Sequence, residues 1–148
     1  MPRKPKKVLT PQQVWYKADK KANPIKYRLK NLYSTLIRRD KVALTDEFKA
    51  WIEAQFHAHL GQSCRYCNEK LTVKTLSCDH RHPLSRGGKN DESNLQFICL
   101  SCNFEKGNLT GMEYEVLTDF LNDFTEMRKI IRTRLKMSGV VFAHKKGW

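Results

Sequence analysis

Four of the five cysteines fall in two C-x-x-C pairs, Cys64–Cys67 and Cys99–Cys102, and this limits the fold more than any other feature of the chain. Each short loop aims two sulfurs at one point. Two such loops in a reducing compartment predict one tetrahedral zinc ion held by four thiolates. Four protein ligands leave no open position, so this zinc is structural, and it ties residues 68–98 at both ends. A redox dithiol or two disulfides is the competing reading. A thioredoxin-like site, however, needs only one such pair, opening a helix after a buried strand. Cys78 stands apart in an apolar stretch and reads as a buried, inert thiol.

Charge narrows the partner. Lys and Arg number 28 against 15 Asp and Glu, a net +13. Residues 1–40 hold twelve Lys/Arg and two Asp, so +10 of that excess sits in the first 40 positions. A localised basic arm suits a phosphate backbone, where binding releases counterions. No stretch of 18 uncharged apolar residues occurs, which excludes a membrane-spanning helix. No apolar run of signal-peptide length follows the basic start, so a cytoplasmic protein is expected.

Local signals divide the chain. Residues 1–9 read as a disordered basic tail. Thr10-Pro11 opens a helix to about Ala22, and Asn23-Pro24 interrupts it. Ile25, Leu29, Leu32, Tyr33 and Leu36 form an inner stripe on a helix over 25–39, with Lys26, Lys30 and Arg38 outside. Trp15, Tyr16, Tyr27 and Tyr33 lie among these basic residues and could stack on bases, though helix packing is the commoner use. Thr45 caps a helix over 46–59 that buries Phe48, Trp51, Ile52 and Phe56 and ends at Gly61. A strand or a short hairpin is expected over 71–78 and a second short strand over 95–98, with a short helix from about Ser101. Thr110 and Glu113 form a capping box for a last helix. Its stripe of Leu117, Phe120, Leu121, Phe124, Met127, Ile131 and Leu135 is read as core, with Gly139 as the stop. The expected divisions are a basic tail and helical extension (1–60), a zinc-stapled core (61–110), and a C-terminal helix with a short tail (111–148).

The tied segment contains the chemistry. Asp79 and His80 are adjacent, and strand side chains alternate, so they converge only if the strand ends there. Pro83 and Gly87-Gly88 make that ending plausible. Asn103 follows the last cysteine and shares a helical face with Lys106. Asp and Asn offer hard oxygen ligands for Mg²⁺ or Mn²⁺. A neutral His is the natural base for water near pH 7. A divalent ion beside that base can clamp a phosphate and stabilise a departing alkoxide. Together with the basic surroundings, these groups point to phosphodiester hydrolysis.

The matching text is Asp79-His80-Arg81-His82-Pro83-Leu84-Ser85-Arg86-Gly87-Gly88, then Asn94-Leu95, then Cys99-Leu100-Ser101-Cys102-Asn103-Phe104-Glu105-Lys106-Gly107. The stretch from Cys64 to Thr110 resembles the HNH endonuclease family in its zinc-stabilised form. The resemblance implies an α+β protein: a ββα-metal core with a structural four-cysteine zinc, flanked by N-terminal and C-terminal helices. It implies His80 as general base, Asp79 and Asn103 as ligands of a catalytic Mg²⁺ or Mn²⁺ (with Ni²⁺ as a further candidate), and Asn94 as the middle Asn that organises the loop and helps hold the base. Arg81, His82, Arg86, Lys89 and Lys106 would meet DNA. Asn103 stands where the last His of the family letters would be. His82 stands where an apolar residue is commoner; it could touch phosphate, bind metal weakly, or be an exposed loop residue.

The expected activity is hydrolysis of double-stranded DNA, leaving 5′-phosphate and 3′-hydroxyl ends. Homing, restriction and phage roles all fit, in a bacterial or phage-infected cell. A homodimer or a phage packaging protein would be the further partner. The alternative from another class is a zinc-stabilised nucleic-acid-binding or packaging accessory protein whose nuclease site is vestigial or partner-dependent.

Overall fold

A computed structural model describes residues 8–124, 127–135 and 137. The tail of residues 1–7 and the expected stop at Gly139 lie outside the described residues. Three helices come first: α1 (Pro11–Ala22), α2 (Pro24–Asp40) and α3 (Asp46–His59). Thr10 caps α1 and forms a capping box with Gln13, and Pro11 fills the first helical position, where no N–H is needed. The break falls at Asn23, ahead of Pro24. α1 buries none of its residues. It rests on α2 through Tyr16, whose ring meets Tyr27 edge-on at 5.2 Å, and through Asp19, which accepts from the Tyr27 hydroxyl at 2.5 Å. Trp15 stays exposed. α2 closes on Lys41 in the left-handed region, φ 58°.

Two antiparallel strands follow, β1 (Leu76–His80) and β2 (Leu95–Cys99), paired from Leu76↔Cys99 to His80↔Leu95. β2 is buried along its whole length. α3 packs on β2, and α4 (Leu100–Lys106) packs on both strands. Leu29, Leu36, Ile52, Phe56, Leu71, Leu76, Ile98 and Tyr114 belong to one core. Burying Ile52 and Phe56 completely contributes about 1.5–3 kcal/mol each. α5 (Gly111–Asp123) starts on the Thr110–Glu113 capping box, and residues 127–135 are helical as well.

Two expectations are corrected. The first strand begins at Leu76, not Leu71. Thr72 and Thr75 turn the chain instead: the Thr75 hydroxyl accepts from Thr72 N–H at 2.9 Å, and Leu76 N–H donates to Thr72 O at 2.8 Å. Such hydroxyl bonds offer the backbone an alternative to the ladder. Leu71 pairs backwards with Gln62 and Gly61, so it supports the first cysteine loop. The second correction concerns the last helix. α5 ends at Asp123, and its inner face is Tyr114, Leu117, Thr118 and Leu121. Phe120, Phe124 and Met127 are exposed rather than core: Phe120 sits to one side of that inner stripe, and Phe124 and Met127 lie beyond the end of α5. Ile131 and Leu135 are half-buried.

Candidate metal centre and active site

The four sulfurs of Cys64, Cys67, Cys99 and Cys102 lie within 4.8 Å of one another, and Cys67 Sγ is 3.5 Å from Cys99 Sγ. A tetrahedron with bonds of about 2.3 Å has edges of about 3.8 Å. Asn68, at φ 59°, reverses the first loop. Cys99 caps α4, its sulfur accepting from Cys102 N–H at 3.3 Å. The Cys64 sulfur accepts from Cys99 N–H at 3.4 Å. Hydrogen bonds from Cys102 and Cys99 push the Cys64 thiol down, while the close sulfurs of Cys64 and Cys99 push Cys102 up. Four thiolates this near cannot all ionise without a cation, so the donor set fits one divalent ion. Among the described residues, no second group of three or more His, Cys, Asp or Glu comes together in this way.

The metal centre anchors the start of α4 beneath β1. Asn103, half-buried on α4, donates from Nδ2 to Ser77 Oγ at 2.6 Å and Cys78 O at 3.4 Å. Ser77 and Asp79 are two apart on β1 and share a face, so Asn103 lies on the Asp79 side of the strand. Asp79 is buried. Its Oδ2 accepts from Gln96 Nε2 at 2.9 Å and pairs with Lys106 Nζ at 3.0 Å. Gln96 is the direct cross-strand partner of Asp79 and in turn accepts from the Tyr66 hydroxyl at 3.2 Å. Lys106 also donates to His80 O at 2.8 Å. Lys106 is therefore an interior residue, 1 % exposed, and does not stand on the surface DNA would touch.

His80, the last residue of β1, is buried on the side towards α2. Its Nε2 lies 2.5 Å from Asn90 Oδ1, and Asn90 Nδ2 donates to Leu36 O at 3.3 Å. Burial lowers the His80 pKa below its ordinary value, partly opposed by the Asn90 hydrogen bond and the Asp79 charge. Adjacent in sequence, Asp79 reaches Lys106 of α4, whereas His80 reaches Asn90, which in turn bonds Leu36 O of α2. Cys78 keeps some exposure, yet desolvation pushes its thiol well up, which suits an unreactive thiol. Arg39, at the end of α2, adds a positive charge felt by both Asp79 and Cys78.

Asn94 holds the loop after β1. Its Oδ1 accepts from His82 N–H at 2.7 Å, and its Nδ2 donates to His82 O at 3.0 Å and Lys89 O at 2.8 Å. Gly88 fits here because nothing larger can: a Cβ would lie 1.9 Å from His82 O. The exposed His82 ring bonds Arg86 O at 2.8 Å. Arg81 and Lys89 are exposed. Arg86 is engaged by the cap of α5, with Nη1 2.5 Å from Glu113 Oε2.

Gln96 and Asn90 escaped the reading of the sequence. Gln96 becomes visible only once the strand register is known, and Asn90 only once α2 is docked. Arg28, whose Nη2 donates to Leu76 O at 2.8 Å, is a further contact from α2 to β1. No helix among the described residues is long and apolar enough to cross a membrane.

The HNH endonuclease family model matches residues 64–109. No curated protein matches the sequence. The matched stretch opens on the first metal-binding cysteine, spans both strands and α4, and closes just before α5. The match thus covers the cysteine cluster, both strands and α4, with helices before and after it.

Proposed function

We propose that this chain is a metal-dependent DNA endonuclease, with zinc at the four-cysteine centre. One observation carries the reading: within the matched stretch, a buried His80 ends β1 beside Asp79, and Asn103 stands on the Asp79 face. His80 takes the proton from the attacking water. Asp79 and Asn103 are the oxygen donors for Mg²⁺ or Mn²⁺, a fit to hard cations. That ion, when bound, stabilises the leaving 3′ oxygen. Asn94 keeps the loop in shape. In this reading the exposed Arg81, His82 and Lys89, and the exposed Lys17, Lys20, Lys21, Lys26 and Lys30 of α1 and α2, contact the DNA backbone. Products are 5′-phosphate and 3′-hydroxyl ends.

One observation favours the alternative of a binding module with a silent site. The Asp79 carboxylate is already neutralised by buried Lys106 and bonded by Gln96. Supercoiled plasmid separates the two. Wild type and His80→Ala are incubated with EDTA, Mg²⁺, Mn²⁺ or Ni²⁺. Nicking that needs both a divalent ion and His80 supports the nuclease. DNA retardation on a gel, with no cleavage in any lane, supports the binding module.

A further inference from the structure

Asn90 links His80 to α2 through a chain of contacts whose direction is fixed at its far end. Leu36 O, a backbone carbonyl on α2, can only accept a hydrogen bond. The Asn90 amide nitrogen must therefore face it, as the 3.3 Å contact shows. Turning the amide over would set two acceptors against each other. With its nitrogen committed to α2, Asn90 presents Oδ1 to the His80 ring, 2.5 Å from Nε2. An amide oxygen accepts and cannot donate, so Nε2 carries the proton. In a neutral imidazole the other nitrogen then holds the lone pair.

We propose that Asn90 is a positioning residue that, held by Leu36 O of α2, fixes His80 as the Nε2–H tautomer and leaves Nδ1 as the basic nitrogen. The statement about the tautomer stands on geometry alone. Its catalytic meaning rests on the reading of His80 as general base. α2 lies outside the matched stretch of residues 64–109. A helix added in front of the nuclease domain thus sets which nitrogen of its base is available. The Asn94 side chain, expected to help hold the base, instead bonds loop backbone at His82 and Lys89, and no hydrogen bond joins it to the ring.

The test is long-range ¹H–¹⁵N spectroscopy of the full zinc-loaded chain at neutral pH, with the His80 signals assigned by their loss in His80→Ala. Wild type should show a protonated Nε2 and an unprotonated Nδ1. Asn90→Ala should release the ring to exchange between both tautomers and lower kcat for plasmid nicking about 10²-fold, with KM within about twofold. Asn90→Asp keeps an acceptor at the ring but loses the donor to Leu36 O, so Nε2 should stay protonated while the ring loses its anchor to α2 and part of the rate; that spectrum differs from the tautomer exchange of Asn90→Ala, a contrast a merely structural role would not predict. A protonated Nδ1 in wild type overturns the proposal. So does an Asn90→Ala spectrum identical to wild type. The wild-type spectrum decides the matter even if Asn90→Ala does not fold. If wild type shows the Nε2–H form but His80→Ala nicks plasmid normally, the tautomer assignment survives and the general-base reading fails.

Discussion

Lys106→Met removes a single charge from the interior. Lys106 and Asp79 are 1 % and 5 % exposed, and their contact measures 3.0 Å. Methionine fills a similar volume, so packing loss is minor. What remains is a buried carboxylate with one neutral donor, Gln96 Nε2, and a His80 carbonyl without its 2.8 Å ammonium. Breaking one side of a buried ion pair costs about 3–5 kcal/mol. In a chain of this size that is a fall in Tm on the order of 10 °C. Urea unfolding of the zinc-loaded protein, followed by circular dichroism, measures it. The double variant Lys106→Met/Asp79→Asn should lose less than the sum of the singles, by about 1–3 kcal/mol. If Asp79 binds a catalytic cation, Mg²⁺ or Mn²⁺ should stabilise Lys106→Met more than wild type, since the ion replaces the missing charge. A Lys106→Met protein within about 1 kcal/mol of wild type would refute the reasoning.

Three further outcomes are expected. Gly88→Ala should loosen the loop between the strands, because its Cβ would lie 1.9 Å from His82 O; a cost of about 1–3 kcal/mol in urea unfolding is expected, with reduced nicking. Stripping the metal with a strong chelator should release one zinc per chain, read by a colorimetric dye, and unfold the segment around Cys64–Cys102, since binding and folding are coupled at such centres. Arg86, aided by the Thr110 N–H, holds the Glu113 carboxyl down to about 2 from an ordinary 4.5. A depressed carboxylate contributes stability that is full above its unfolded value and is lost as pH falls through its folded one. Between pH 5 and pH 2, wild type should therefore lose slightly more stability than Glu113→Gln in urea titrations; equal slopes would show that this exposed pair contributes nothing.

Much of the architecture is determined by the sequence alone, where the deciding interactions are local. Thr10, Thr45 and Thr110 each bond a backbone N–H three residues on. Pro24 ends one helix by its own geometry, and each C-x-x-C loop closes within four residues. Signals of that range can be read from a short window, and so the helix starts and the cysteine cluster were legible. Tertiary structure alone decided what lies far apart in the chain. The Asp79–Gln96 pairing depends on strand register across a long loop. Lys106 reads as a surface charge until α4 packs on β1 and buries it. Arg86 reads as a free loop charge until α5 docks and brings Glu113 to it. The same holds for α5, where docking covers Tyr114 and Leu121 but leaves Phe120 and Phe124 exposed. Asn90 acquires its role only because α2 offers it a carbonyl. Residue types limit which chemistry is available, but a buried partner's identity depends on which surface packs over it, and no local pattern encodes that.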